Sequence, residues 1–176
     1  MKKLLSIIAV AAIAVSCNAP TNTSNTNNMA DANKAKVQRF YDEVINAHNP
    51  AMVDSFCQAD FLDHNPDQGH SGKGIEDLKA QFKEFFAAFP DIHVKTNFMV
   101  AEGDKVVGHV TMSGTNSGAM GGMPATNKKI EIDGIDIIQI KDGKANERWG
   151  VFDTMKMMSQ LGMPGPGAPP AGPEKK

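Results

Sequence analysis

The apolar residues of this chain change their period once, and that change limits the fold more than any other feature. Up to Phe89 they recur every three or four residues. Val37, Phe40, Tyr41, Val44 and Ile45 form one such stripe, and Leu78, Phe82, Phe85, Phe86 and Phe89 form another. From Ile92 onwards they alternate, first through Val94, Thr96, Phe98 and Val100, later through Ile130, Ile132, Ile138 and Ile140. The first spacing belongs to amphipathic helices, the second to strands with one buried face. Helices followed by a run of strands make an α+β domain, with N-terminal helices packed on a curved antiparallel sheet. A sheet bent around helices leaves an apolar cleft where small ligands bind.

The spacing predicts helices over 31–48, about 50–57 and about 74–88. Asp31 or Asn33 caps the first, Asn49-Pro50 ends it, and Pro90 stops the third. The stretch DFLDHNPDQGHSGKG between the last two reads as irregular. Strands are expected over 92–100, 105–115, 128–140 and 145–153, joined by a tight turn at EGD, a Gly/Met loop and a hairpin turn at KDGK. A short helix over about 154–161 closes the domain, with Gly162 as its C-terminal cap.

The ends of the chain differ in character from this domain. Residues 1–17, MKKLLSIIAVAAIAVSC, join a basic start to an apolar run that is shorter than the roughly 20 residues of a spanning helix, as in a secretory signal. Residues 18–30 are rich in Asn and Thr and cannot bury a core, so they read as a flexible tether. Residues 164–176 form a Pro/Gly tail, which leaves one domain over 31–163. The net charge of −2 becomes more negative once Lys2 and Lys3 leave with a cleaved signal, and the chain has no basic cluster, so a nucleic-acid partner is not expected. Cys57, the only thiol in the domain, has no His or basic neighbour to activate it and is expected to be buried and inert.

Three polar residues fall where strand alternation predicts apolar neighbours. Asp136 shares a face with Ile130, Ile132, Ile138 and Ile140. His109 shares one with Val107 and Thr111. Asp153 shares one with Trp149, the only tryptophan, and Val151. A carboxylate on a buried face must be hydrogen-bonded or protonated, which makes such positions candidates for a site. Each also has a plainer reading. Asp153 can serve only as the N-cap of the last helix, His109 as a core histidine, and Asp136 can turn to solvent if Gly134 carries a bulge. His64 sits in a loop where a turn residue is the alternative. His70 and His93 read as surface residues, and no set of residues has convincing metal-ligand spacing.

Taken together, FLDHNP, VVGHVTMSGTNSG, GMPATNKKIEIDGIDIIQIKDGK and ERWGVFDTMKMMSQLG resemble the SnoaL-like polyketide cyclase (ester cyclase) family of the nuclear transport factor 2-like superfamily, over about residues 32–162. The resemblance implies a cone-shaped α+β barrel and a cofactor-free reaction. Asp153 would take a proton from an activated carbon, and His64 or His109 would bond the developing enolate oxygen. Trp149, Asp136, Asn116 and Phe86 would line the pocket and exclude water. It also implies a homodimer across the open sheet face. Two departures, His109 where many relatives have arginine and Asn116 where many have histidine, remove positive charge. They leave an alternative function: binding an apolar small molecule without turning it over, or a structural role as a dimeric lipoprotein. Separately, Ala14-Val15-Ser16-Cys17 resembles a bacterial lipoprotein signal box, which implies a lipid on Cys17 and a membrane-anchored protein at the cell envelope, facing the periplasm or the exterior.

Overall fold

The computed structural model describes residues 23–163. Helix α1 (Thr23–Phe40) runs directly into a π-helical turn, Tyr41–Asn46. A 3-10 turn at Pro50–Met52 leads to the short α2 (Val53–Phe56) and then to strand β1 (Cys57–Asp63). Helix α3 (Gly74–Ala88) precedes β2 (His93–Glu102), β3 (Lys105–Thr115), β4 (Lys129–Lys141) and β5 (Lys144–Phe152), and α4 (Thr154–Leu161) follows. The strands form one sheet in the order β1-β5-β4-β3-β2. All neighbouring pairs are antiparallel except β1 with β5. The α+β architecture with N-terminal helices on a curved sheet therefore stands, and the sheet is mixed.

Two expected boundaries shift. The first helix starts at Thr23, eight residues before Asp31, so the latter part of the expected tether is helical and Asp31 pairs with Lys34 at 2.8 Å inside it. The expected helix over about 50–57 is present as a 3-10 turn, Pro50–Met52, continued by α2, and it ends one residue early at Phe56. Cys57 then enters a strand, because a parallel edge strand beside β5 buries Cys57, Phe61 and Asp63. Cys17, the signal segment and the tail over 164–176 lie outside the described residues.

Most of the core lies between the inner face of the sheet and the helices. Val37, Tyr41 and Val44 meet Val106, Val110, Ile132 and Ile138 there, all of them buried. The π-helical turn adds a residue to one turn of the helix, as in Asn49 N–H to Val44 O at 2.9 Å. Tyr41, at its start, is buried and directs its hydroxyl at the sheet.

The pairing of β4 with β5 decides which residues face the core. Ile138 lies opposite Arg148, Asp136 opposite Gly150 and Gly134 opposite Phe152, but Ile140 lies opposite Ala145. A bulge at Asn146 and Glu147 accounts for the extra residue. It reverses the alternation of β5, so Arg148, Gly150 and Phe152 turn inwards with Asp136. Trp149 and Val151 turn outwards with Ile137 and Ile135.

Candidate functional site: an apolar cavity with a charged wall

A cavity of about 870 Å³ lies between the inner sheet face and helices α1, α3 and α4. Phe40, Phe82, Phe85, Val110, Ile132 and Met157 supply much of its apolar lining. One wall is charged. Arg148 reaches back across Gly150 and donates from Nε and Nη2 to Asp136 Oδ1, at 2.9 and 2.7 Å. Its Nη1 donates to Asp63 Oδ2 at 2.7 Å. Tyr41 donates its hydroxyl to Asp136 Oδ2 at 3.0 Å, and the backbone N–H of Asn65 donates to Asp63 Oδ1 at 2.9 Å.

The chain fold explains this wall. Residues from the π-helical turn, β1, β4 and β5 converge because β1 adds to the sheet in parallel beside β5. Gly150 is required as glycine: a Cβ there would collide with the Arg148 guanidinium and come within 2.8 Å of Asp136 Oδ1. Burial alone would lower the pKa of Arg148, but Asp136 and Asp63 outweigh it, and the group is raised and stays charged. Burial, reinforced by the Asp136 charge, pushes the Tyr41 hydroxyl well above its ordinary value, so it remains a donor. Every carboxylate oxygen of this trio has a partner, as buried charges require.

Asp67 is different. It lines the cavity from the loop after β1 and is exposed. Burial raises its pKa, opposed in part by Arg148 and by the Gln81 Nε2 donor 3.1 Å from Oδ2. His70, expected at the surface, also lines the cavity. Its side chain is only 9% exposed and sits between Asp77 Oδ1 at 3.3 Å and Glu84 Oε2 at 3.4 Å. Cys57 is buried, and burial pushes its thiol up to about 12, which agrees with an inert role.

Of the residues expected at the site, only Asp136 is found in the cavity wall. Asp153, expected in an apolar pocket, does share a face with Trp149 and Val151, but the bulge turns that face outwards. Its exposed carboxylate accepts from Lys156 N–H at 2.9 Å and caps α4. His64 stacks on Trp149, with centroids 4.4 Å apart and planes 5° apart, and bonds Glu147 at 2.8 Å, all away from the cavity. His109 packs on Phe98 across the outer face, at 5.1 Å. Asn116, expected to line the pocket, is wholly buried as a loop clip: it donates to Gly118 O and accepts from Thr126 N–H, both at 2.9 Å. Phe86 turns towards His48, at 5.1 Å, because Phe82 and Phe85 hold the helix positions that face the cavity.

Sequence reasoning missed Asp63, Asp67 and Arg148. Tyr41 carried the available signal, since a tyrosine on a fully apolar helix stripe needs a partner for its hydroxyl. Among the described residues, no group of three or more His, Cys, Asp or Glu side chains is placed to hold a metal ion, and no helix is long and apolar enough to cross a membrane.

The SnoaL-like polyketide cyclase family model matches residues 35–161. The chain belongs to that family. Among solved structures it is similar to TsrD from Streptomyces laurentii, with 26% identity and a TM-score of 0.67 over 75% of this chain and 96% of that one. A Bacillus cereus protein provisionally named a polyketide cyclase is 29% identical, with a TM-score of 0.64 over 75% of this chain and 81% of that one. An LEH-like epoxide hydrolase of M. tuberculosis shares the fold, with a TM-score of 0.60 and 14% identity over 76% of this chain and 91% of that one. No curated protein matches the sequence. A SnoaL-like fold thus hosts differently named proteins, and the site itself must carry the functional argument.

Proposed function

We propose that this SnoaL-like protein binds an apolar small molecule in its cavity, at a cell envelope to which a lipid on Cys17 ties it. One observation carries the binding reading: the cavity is large and mostly apolar, and its charged wall is already internally bonded. Such a wall orients a ligand through few polar contacts while apolar burial supplies the affinity. Native mass spectrometry of protein purified from its own host tests this. A retained ligand is expected on the wild type and should be lost on Val110→Trp, which fills the cavity from β3. No adduct on either, with no uptake of apolar probes, refutes it.

A second reading, cofactor-free acid/base chemistry on a small carbonyl compound, is favoured by Asp67. A carboxylate raised by burial in a cleft is suited to proton transfer. In this reading Asp67 replaces Asp153, whose side chain caps α4 outside the cavity. Turnover of β-dicarbonyl or ester substrates should then survive Asp153→Asn and fall with Asp67→Asn. Equal turnover by both variants removes Asp67 from the mechanism.

The anchoring and the homodimer have their own support. Palmitate labelling should reach wild type and not Cys17→Ser. The outer sheet face exposes Phe98, Val100, Ile135 and Val151, which favours pairing with a second copy. Ile135→Glu should lower the mass seen by light scattering, and an unchanged mass counts against that face.

A further inference from the structure

The cavity wall carries more negative charge than the residues on it can neutralise. Arg148 is bonded to two carboxylates at once, so the Asp63–Arg148–Asp136 trio has an excess of one negative charge when both acids are ionised. Asp67 and Glu84 add two more carboxylates to the lining. Lys36, the other Lys or Arg of the lining, belongs to α1 and reaches the β4–β5 turn, with its Nζ near Gly143, and His70 is engaged by Asp77 and Glu84. Asp67 accepts only a neutral amide donor on Oδ2, and Oδ1 has no hydrogen-bond partner among the described residues. Arg148 lines the same cavity but is already held on its two acids.

A carboxylate-bearing ligand seated beside Asp67 would leave water without a free cation next to it, since Lys36 stands at the β4–β5 turn and Arg148 is held on two acids. A ligand with an ammonium group would meet an accessible carboxylate on the cavity lining whose Oδ1 is unpartnered among the described residues. We infer that the cavity selects a cationic apolar molecule, a protonated amine on a hydrocarbon body, and seats its nitrogen on Asp67. The inference rests on the cavity being the binding site and names the chemical class that it takes. The burial-driven rise in the pKa of Asp67 agrees with a carboxylate that lacks its counter-ion in the empty protein.

Titration calorimetry at pH 7 with three ligands of one chain length tests it: decylamine, decanol and decanoate. Decylamine should bind at least tenfold more tightly than decanoate, with decanol between them. Asp67→Asn should bring the amine-to-carboxylate ratio close to one. Decanol binding to that variant shows that the cavity is intact. Decanoate binding as tightly as decylamine overturns the inference while leaving the cavity reading standing, and so does a ratio that Asp67→Asn does not change. If none of the three binds, the cavity reading fails and takes the inference with it.

Discussion

Removing the Arg148 guanidinium should destabilise this protein far more than an ordinary substitution on a strand. Arg148→Met keeps an unbranched side chain on β5 and deletes three charge-assisted donors. What remains is Asp63 and Asp136, with side chains 2% and 6% exposed, facing each other without a cation. Breaking a buried pair by removing one partner costs about 3–5 kcal/mol, mostly as the uncompensated charge left behind. Against a total stability of roughly 5–15 kcal/mol, that is about a fifth at the least and more than half at the lower end. Urea unfolding followed by the fluorescence of Trp149 reads it directly, since Trp149 is the only tryptophan and neighbours Arg148 on β5. The midpoint should fall sharply at pH 7. Adding Asp63→Asn and Asp136→Asn to Arg148→Met should restore much of the loss. A loss below about 1 kcal/mol for the single variant, or no rescue in the triple, would refute the view that the trio is one coupled unit.

Three further outcomes follow from the same geometry. Gly150→Ala should move Arg148 off Asp136 and destabilise nearly as much as Arg148→Met, measured by the same unfolding curves, because the guanidinium fills the space of the new Cβ. Asp153→Ala should cost about 1 kcal/mol as a lost N-cap, with ligand retention in native mass spectra unchanged. Asp67→Asn should raise Tm at pH 7: a carboxyl whose folded pKa lies above its unfolded value weakens the fold once pH passes through that interval, so the gain should vanish below about pH 4.

The fold was legible where the apolar period was clean. The helix over Gly74–Ala88 and the strands β2 to β5 follow from spacing, and so does a pocket between sheet and helices. β1 was not legible, because CQADFLD shows two exposed residues between its buried ends, and only the neighbouring β5 makes a parallel strand of it. Asp136 could be placed because its whole strand alternates without interruption. Asp153 was misplaced for one local reason. A bulge has no sequence signature in ANERWGVF, and one extra residue on β5 exchanges its two faces. The alternation Trp149–Val151 holds along β5, but an apolar strand face is not by itself a sign of the interior, and Asp153 lies past the strand as the cap of α4.

That same exchange explains why Trp149 and Val151 join Phe98, Val100 and Ile135 on the outer face, and why the cavity wall is charged; a separate shift between Thr96 and Phe98 turns β2's residues outwards. Without the bulge, Trp149 and Val151 would enter the cavity and Arg148 would point outwards, away from Asp136. With it, Arg148 turns in where Asp63 and Asp136 can both reach it, and Trp149 goes out to stack on His64. The bulge therefore fixes two properties of the molecule together: a polar anchor inside an otherwise apolar cavity, and an aromatic and aliphatic surface on the far side of the sheet. Deleting Asn146 separates the two in one experiment. It should reverse the alternation of β5, bury Trp149 and blue-shift its emission, and expel the arginine. A deletion variant that folds with unshifted emission and retains ligand would show that the register of β5 is set elsewhere, by β1 or α4, and not by the bulge.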